Sequence, residues 1–449
     1  MVNNITGLGT TNRILSAKGR VSGEAANEQP AAEQPQVQSY SAENIRAYQT
    51  RGLNTTLSSE ASRKKYGELS SKLEPETRVK LNKLLKSGLL LNNDSNDGST
   101  VLDNLHKIVT EPRIKGLNSS KIAAEAIDEI TNPGIITQTF GDIPENVSQA
   151  VLRHPEFGIR SEAELDVGQY SSSCVATSIE YNLAQKHPAE FVRMAAGLSS
   201  ENYCVIKELP ISAVAENKED AMWLFNQFNV PYKTENNDTV KVQIQPDRSA
   251  IVRARVQTSY RDEGERSVVD VLMQSALMNL GSQHTYNSLN DRRQPGLFNP
   301  ENAGLSEFEK NFTEEIATGQ KRVAVTYQIL DENGKITGYN CDMMTMANQF
   351  INALQSGENI IVGIVDTNEE NQVINGHEIT ITGAMTTPNG DLVFACNDTG
   401  DGSDEPMYVL AQNLLGKVHH AGLPEEAVGD MEVPKVSDWV EYFKQYAEA

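Results

Sequence analysis

The chain offers four cysteines and seven histidines as nucleophiles and bases, and one of each stands where covalent chemistry could be done. Cys174 follows the small polar run Gln169-Tyr170-Ser171-Ser172-Ser173. It opens a segment in which Val175, Ile179 and Leu183 recur one turn apart before Pro188. That spacing predicts a helix from Val175 to Lys186 with the cysteine in its first turn. Unpaired backbone N–H groups and the positive end of a helix dipole stabilise a thiolate there. The same groups stabilise the oxyanion formed when sulfur attacks a carbonyl, and the Gln169 amide offers a further donor.

A thiolate nucleophile needs a base that pairs with it and later protonates the leaving group. His377 fits that role. It stands in Asn375-Gly376-His377-Glu378-Ile379-Thr380-Ile381-Thr382-Gly383, where a glycine permits close backbone approach and the alternation from His377 to Thr382 predicts a strand that fixes the ring's direction. A third polar side chain must hold the ring's tautomer. Pro388-Asn389-Gly390-Asp391 turns the chain and Leu392 to Cys396 returns as the partner strand, delivering Asn397, the preferred candidate, and Asp398 at its end. The other thiols read differently: Cys341 precedes an ordinary core helix, Cys396 points away from the Asn397 face, and Cys204 has no partner motif. His419-His420 reads as surface or packing because no further ligands accompany the pair. Trp223 and Trp439 read as core anchors on helices. The acidic loop from Asn92 to Gly98 reads as a turn followed by a Thr100/Asp103 capping box, since the closing glutamate of a calcium loop is missing.

The order Gln169, Ser173-Cys174, Gly376-His377 with Gly383 closing the strand, then Asn397-Asp398-Thr399-Gly400, resembles the papain superfamily of cysteine peptidases. The run His377, Gly383, Ala384 before a strand ending in Asn is similar to calpains, and Leu354 to His377 is similar to bacteriocin-processing cysteine peptidases. The resemblance covers roughly Pro155 to the C-terminal region, interrupted at about Cys204 to Tyr339. It implies a cysteine-led helix packed on a mostly antiparallel sheet that carries the histidine. Cys174 would be the nucleophile, His377 the base, Gln169 the oxyanion donor and Asn397 or Asp398 the orienting residue. The implied activity is hydrolysis of a peptide or isopeptide bond in a protein or peptide substrate through a thioester, with no cofactor and no metal. Acyl transfer of transglutaminase type on the same triad, or an inactive papain-fold binding module, are the alternatives. Three departures bear on the oxyanion role more than on the cysteine–histidine pair: Gln169 is one residue nearer the cysteine than in papains, Ser172, Ser173 and Val175 replace the flanking glycines and aromatic, and no tryptophan follows Asn397.

The elements that must position these residues predict an α+β fold. Residues 1–40 contain a Glu, Gln, Ala and Pro-rich tail expected to be disordered. Residues 41–150 read as a helical region, accessory or inhibitory, with Gly88 stopping one helix. Residues 151–449 read as the catalytic domain, with an insertion at about 205–340. Within the insertion, Val240, Val242 and Ile244, then Val252, Ala254 and Val256, predict a hairpin across Pro246-Asp247, and Ser267 predicts a helix start. Val323 to Ile336 predicts a second hairpin with an Asn333-Gly334 turn. Met343 to Leu354 predicts a helix closed by Gly357, and Ile360 to Val365 a buried strand. At 449 residues and a formal charge of -22, the chain repels nucleic-acid phosphates and anionic lipid. Few cysteines, no CxxC pair and no apolar leader or span predict a protein made in a reducing cytoplasm, with export by a route that uses no cleaved signal left open.

Overall fold

The computed structural model of the chain describes residues 54–167, 171–300 and 304–447. The expected tail, the first part of the helical region and Gln169 lie outside these residues. The fold is α+β, 46% helical and 18% strand, and its sheets are separate from most of its helices. No helix among the described residues is long and apolar enough to cross a membrane. The chain forms two compact units. The described part of the helical unit runs from 54 to Lys321, with Asp398–Pro406 and 436–447 returning to it, and that of the sheet unit comprises Arg322–Asn397 and Met407–Lys435.

The helical unit begins with α1 (Glu60–Lys72), α2 (Pro75–Ser87), α3 (Val101–Thr110), α4 (Ser119–Thr131) and α5 (Glu145–Leu152). Pro75 starts α2 at a position that needs no N–H, and Gly88, at φ 86°, ends it in the left-handed region. Thr100 and Asp103 form the expected capping box at the head of α3. Next come α6 (Cys174–Lys186), α7 (Pro188–Leu198), β1 (Val205–Pro210), α8 (Lys218–Gln227), β2 (Tyr232–Thr234), β3 (Thr239–Ile244), α9 (Ala250–Tyr260), α10 (Val268–Gly281) and α11 (Glu307–Thr318). Helix α10 is buried along its whole length and packs against α4, α6, α7, α9 and α11. A helix buried on every face belongs at the centre of a bundle. Helix α3 packs on α7, and α4 touches α6, α7 and α10, so these helices form part of the unit's core.

One expected hairpin is corrected. Strand β3 pairs with β1 and β2, while the alternating residues from Val252 to Val256 lie in helix α9. The buried face of α9 carries Ala250, Arg253, Ala254 and Gln257, a 3,4-spaced set whose polar members hide the helical period from an apolar count. Their burial is satisfied in part: Arg253 donates to the Gly141 carbonyl at 2.7 Å and lies over Phe140, and Gln257 donates to the Arg266 carbonyl, while Arg253 Nε and Gln257 Oε1 have no hydrogen-bond partner.

The sheet unit has β4 (Val323–Thr326), a small hairpin of β5 (Gln328–Leu330) and β6 (Ile336–Tyr339), α12 (Met343–Gln355), β7 (Ile360–Thr367), β8 (Val373–Thr386), β9 (Leu392–Asn397), β10 (Met407–Leu410), α13 (Ala411–Leu415), β11 (Val418–Leu423) and α14 (Glu425–Val428). The order β10-β9-β8-β7-β11-β4 is antiparallel throughout. Helix α12 covers one face, where Met346, Phe350 and Leu354 meet Ile360, Val362, Ile379, Ile381 and Phe394. Helix α15 (Val436–Ala447) belongs to the helical unit, where Trp439 and Phe443 join Phe298 and Phe308 in an aromatic cluster.

A buried ionic group ties α7 to β1. Glu190 accepts two bonds from Arg193 at 2.7 and 2.8 Å, one from Lys207 at 2.9 Å and one from the Asn96 amide at 2.8 Å. Burial alone would raise this carboxyl, but Arg193 and Lys207 outweigh it and bring it down to about 2. Burial pushes the Lys207 ammonium down, and Glu190 only partly offsets that, so the pair is worth less than its carboxylate half suggests. With the folded value below the ordinary 4.5, the group's stabilisation is complete above that pH and is lost as pH falls toward 2. Glu190→Ala should cost about 3–5 kcal/mol in urea denaturation at pH 7 by leaving two buried cations unpaired. It should also flatten the acid limb of the stability–pH curve; an unchanged limb would assign acid unfolding to other carboxylates.

Candidate functional site

Cys174 is the first residue of α6, half-buried, with fully buried Ser173 as the residue ahead of the helix. The Ser173 hydroxyl makes no capping bond to the helix. It is held by the Arg266 guanidinium and by Ser171 Oγ at 2.6 Å. The first-turn N–H groups of α6 therefore have no acceptor from the residue that ordinarily supplies one.

The loop leading to Cys174 is fixed from two sides. Arg266, buried at 1% exposure, donates to Ser171 Oγ at 2.9 Å and to the Gln138 carbonyl at 2.9 and 3.2 Å, and stacks 3.5 Å over the Phe140 ring. On the other side, the Ser172 hydroxyl donates to the Asp291 carbonyl at 2.7 Å and its amide to the Asp291 carboxylate, which also accepts from the Tyr286 phenol at 2.6 Å. Gly304 is required beside this loop, since a Cβ there would lie 2.6 Å from the Ser172 carbonyl oxygen.

The same strap reaches the segment that opens with Asp398. The Gln138 amide donates to the Thr399 carbonyl at 3.2 Å, and Asn132 donates to the Asp404 carboxylate at 3.1 Å. A Cβ on Gly400 would lie 2.7 Å from the Gln138 side chain, and the Asp398 carboxylate accepts from the Gly400 amide at 2.9 Å. Gln138 thus fastens the approach to Cys174, through Arg266, and the residues after Asp398.

In the sheet unit His377 is half-buried on β8, opposite Ile364 on β7. Its register places it with Ile379 and Ile381, on the face that α12 covers. Asn397 ends β9 opposite Thr380, and residues paired across strands share a face while neighbours along a strand alternate. The amide of Asn397 and the ring of His377 therefore project from opposite faces, so Asn397 does not orient His377. The cause is a bulge. From Thr386↔Leu392 to Gly383↔Ala395 the register is regular, then it shifts by one residue to Ile381↔Cys396 and Thr380↔Asn397. An unbulged hairpin would have set Asn397 against Ile381, on the histidine's face.

The sheet face shared by Asn397 carries further polar residues, among them His420 of the pair expected at the surface or in packing. Buried His420 on β11 reaches across β7, its Nε2 2.8 Å from the Glu378 carboxylate on β8. It crosses at Gly363, where a Cβ would stand 2.2 Å from the imidazole. Asn397 is 4% exposed with its Oδ1 unpaired.

The remaining thiols are poor nucleophiles: burial raises Cys204, burial and the Asp342 charge raise Cys341 to about 11, and Cys396 is fully buried in the core. A second chemistry-bearing cluster lies in the helical unit, where one carboxylate oxygen from each of Glu129, Glu180 and Asp270 falls within 4.8 Å of the other two. No local motif marked it, because the three residues stand on three helices. The available signal was an acid in an apolar stripe, as in Ala176, Glu180 and Leu183.

Arg266→Met should cost about 3 kcal/mol, by stripping buried oxygens of a charged donor, and should speed amide exchange over residues 171–174. Arg266→Lys should recover less than half, because a single ammonium cannot reproduce the fork. Unchanged exchange would leave Asp291 as the loop's only necessary anchor. No protein-family model matches the chain and no curated protein matches it, so its chemistry has to be read from its own residues.

Proposed function

We propose that the chain is a cysteine peptidase of papain-like type, with Cys174 as nucleophile, His377 as base and Asp398, in place of Asn397, as the residue that orients the ring. The thiolate attacks the carbonyl of a peptide or isopeptide bond, and the first-turn N–H groups of α6 face the oxyanion. The imidazolium gives its proton to the leaving amine, and a thioester remains. His377 then takes a proton from water, whose attack releases the acid and returns the thiol.

The observation that carries this reading is the shared fastening at Gln138 of the loop that ends in Cys174 and the segment that begins with Asp398. Elimination supports it: of the four thiols, Cys174 alone combines partial exposure with the head of a helix. The register supports passing over Asn397, which stands opposite Thr380 on the face away from His377. The reading requires sulfur and imidazole to meet within hydrogen-bonding reach.

Iodoacetamide labelling at pH 6, mapped by mass spectrometry, should modify Cys174 at least about tenfold faster than Cys204 or Cys341. His377→Ala should remove that preference. Against a peptide library, Cys174→Ala should abolish turnover, Asp398→Asn should lower kcat by about 10²–10⁴-fold, and Asn397→Ala by less than about tenfold. Uniform slow labelling of all exposed thiols would sink the enzyme reading. A crippled Asn397→Ala beside a healthy Asp398→Asn would reverse the choice of third residue.

A further inference from the structure

We propose that the helical unit binds one divalent cation of the hard, oxygen-preferring class, calcium before magnesium or manganese, between Glu129 of α4, Glu180 of α6 and Asp270 of α10. The proposal does not rest on the peptidase reading.

The three side chains come from three packed helices and are 0–2% exposed. One oxygen of each lies within 4.8 Å of the others. Oxygens about 2.3–2.6 Å from one calcium ion can stand up to about 5 Å apart, so the spacing suits a common ion. Each carboxylate spends one oxygen on a local donor. Ser267 Oγ donates to Glu129 Oε1 at 2.6 Å, Gln274 Nε2 to Glu180 Oε2 at 2.8 Å and the Ser267 amide to Asp270 Oδ2 at 2.8 Å. The other three oxygens, Glu129 Oε2, Glu180 Oε1 and Asp270 Oδ1, are buried without any hydrogen-bond partner. The Gln274 amide that touches Glu180 also leaves its own oxygen buried and unpaired.

The neighbouring cations are engaged elsewhere. The Arg266 guanidinium donates to Gln138, Ser171 and Ser173, and Arg261 faces Glu125 at 3.4 Å. Capping of α10 explains Asp270 Oδ2 and the bond from the Val268 amide to Glu125, but it explains neither Glu180 nor the three unpaired oxygens. Burial and mutual repulsion hold the carboxyls of Glu129 and Glu180 well above their usual range, and burial brings Asp270 up to about 6. Charges so placed persist near neutral pH only with a counter-charge among them. A closed all-protein cage favours calcium, since magnesium gives up its water reluctantly.

The test uses the full chain, stripped with EDTA, dialysed and titrated with calcium, magnesium or manganese chloride. Elemental analysis after calcium loading should find one ion per chain. The melting temperature should rise by about 3–5 °C at a hundredfold excess over Kd. Glu180→Gln and Asp270→Asn should abolish the calcium-dependent rise, and in EDTA at pH 7.5 both should melt no lower than the stripped wild type, because each removes a repelling charge. Should a variant fail to fold, the wild-type titration decides alone. A wild-type protein that retains no ion and melts alike in all three chlorides overturns the proposal. In that case protons shared among Glu125, Glu129, Glu180 and Asp270, facing Arg261, Arg266 and Lys121, neutralise the group, and stability declines as pH climbs from about 4.5 toward 7.

Discussion

The N-terminus of α10 ends inside the protein, and a helix start buried away from water must find acceptors for its N–H groups. The chain supplies them as carboxylates. Asp270 closes a capping box with Ser267, Glu125 accepts from the Val268 amide, and the Ser267 hydroxyl in turn binds Glu129. One residue earlier Arg266 leaves the same turn in the other direction and grips Gln138 and the serines ahead of Cys174. A single buried turn therefore sets acids on one side and a guanidinium on the other. The polar interior of the helical unit and the placement of the Cys174 loop are two consequences of one helix end.

That end was legible as a cap at Ser267, and so were the helix headed by Cys174, the stop at Gly88 and the hairpin of β8 and β9. Each is written in local chemistry: a capping hydroxyl, a glycine at positive φ, an apolar residue every turn. Helix α9 was not legible, because its buried stripe includes Arg253 and Gln257, whose partners come from distant segments. Across that polar break Val252, Ala254 and Val256 happen to alternate. Long-range satisfaction of a buried polar group overrode the local period.

The third residue of the candidate triad shows a finer limit. Composition and turn signals set Asn397 and Asp398 at the end of β9, but whether Asn397 shares a face with His377 depends on a count of residues modulo two. One extra residue in β8, near Thr382 and Gly383, inverts that count. The polar residues across the sheet were hidden for a related reason. Gly363 sits in a run that reads as a buried apolar strand, yet its missing side chain is what lets His420 reach Glu378. Neither event leaves a mark in hydropathy.

The chain's route between its units gives Asp398 a particular standing. It leaves the sheet unit after Asn397, spends Asp398–Pro406 in the helical unit and re-enters the sheet at Met407, where β10 pairs with β9. A carboxylate on that excursion takes its position from the strap at Gln138 and Asn132, not from the last rung of β9. Because Arg266 holds Gln138 by its carbonyl while the Gln138 amide holds Thr399, any shift of the strap moves the Asp398 segment and the Cys174 loop together. Two segments coupled in this way keep their mutual geometry through the small motions that a bundle allows, whatever chemistry they serve.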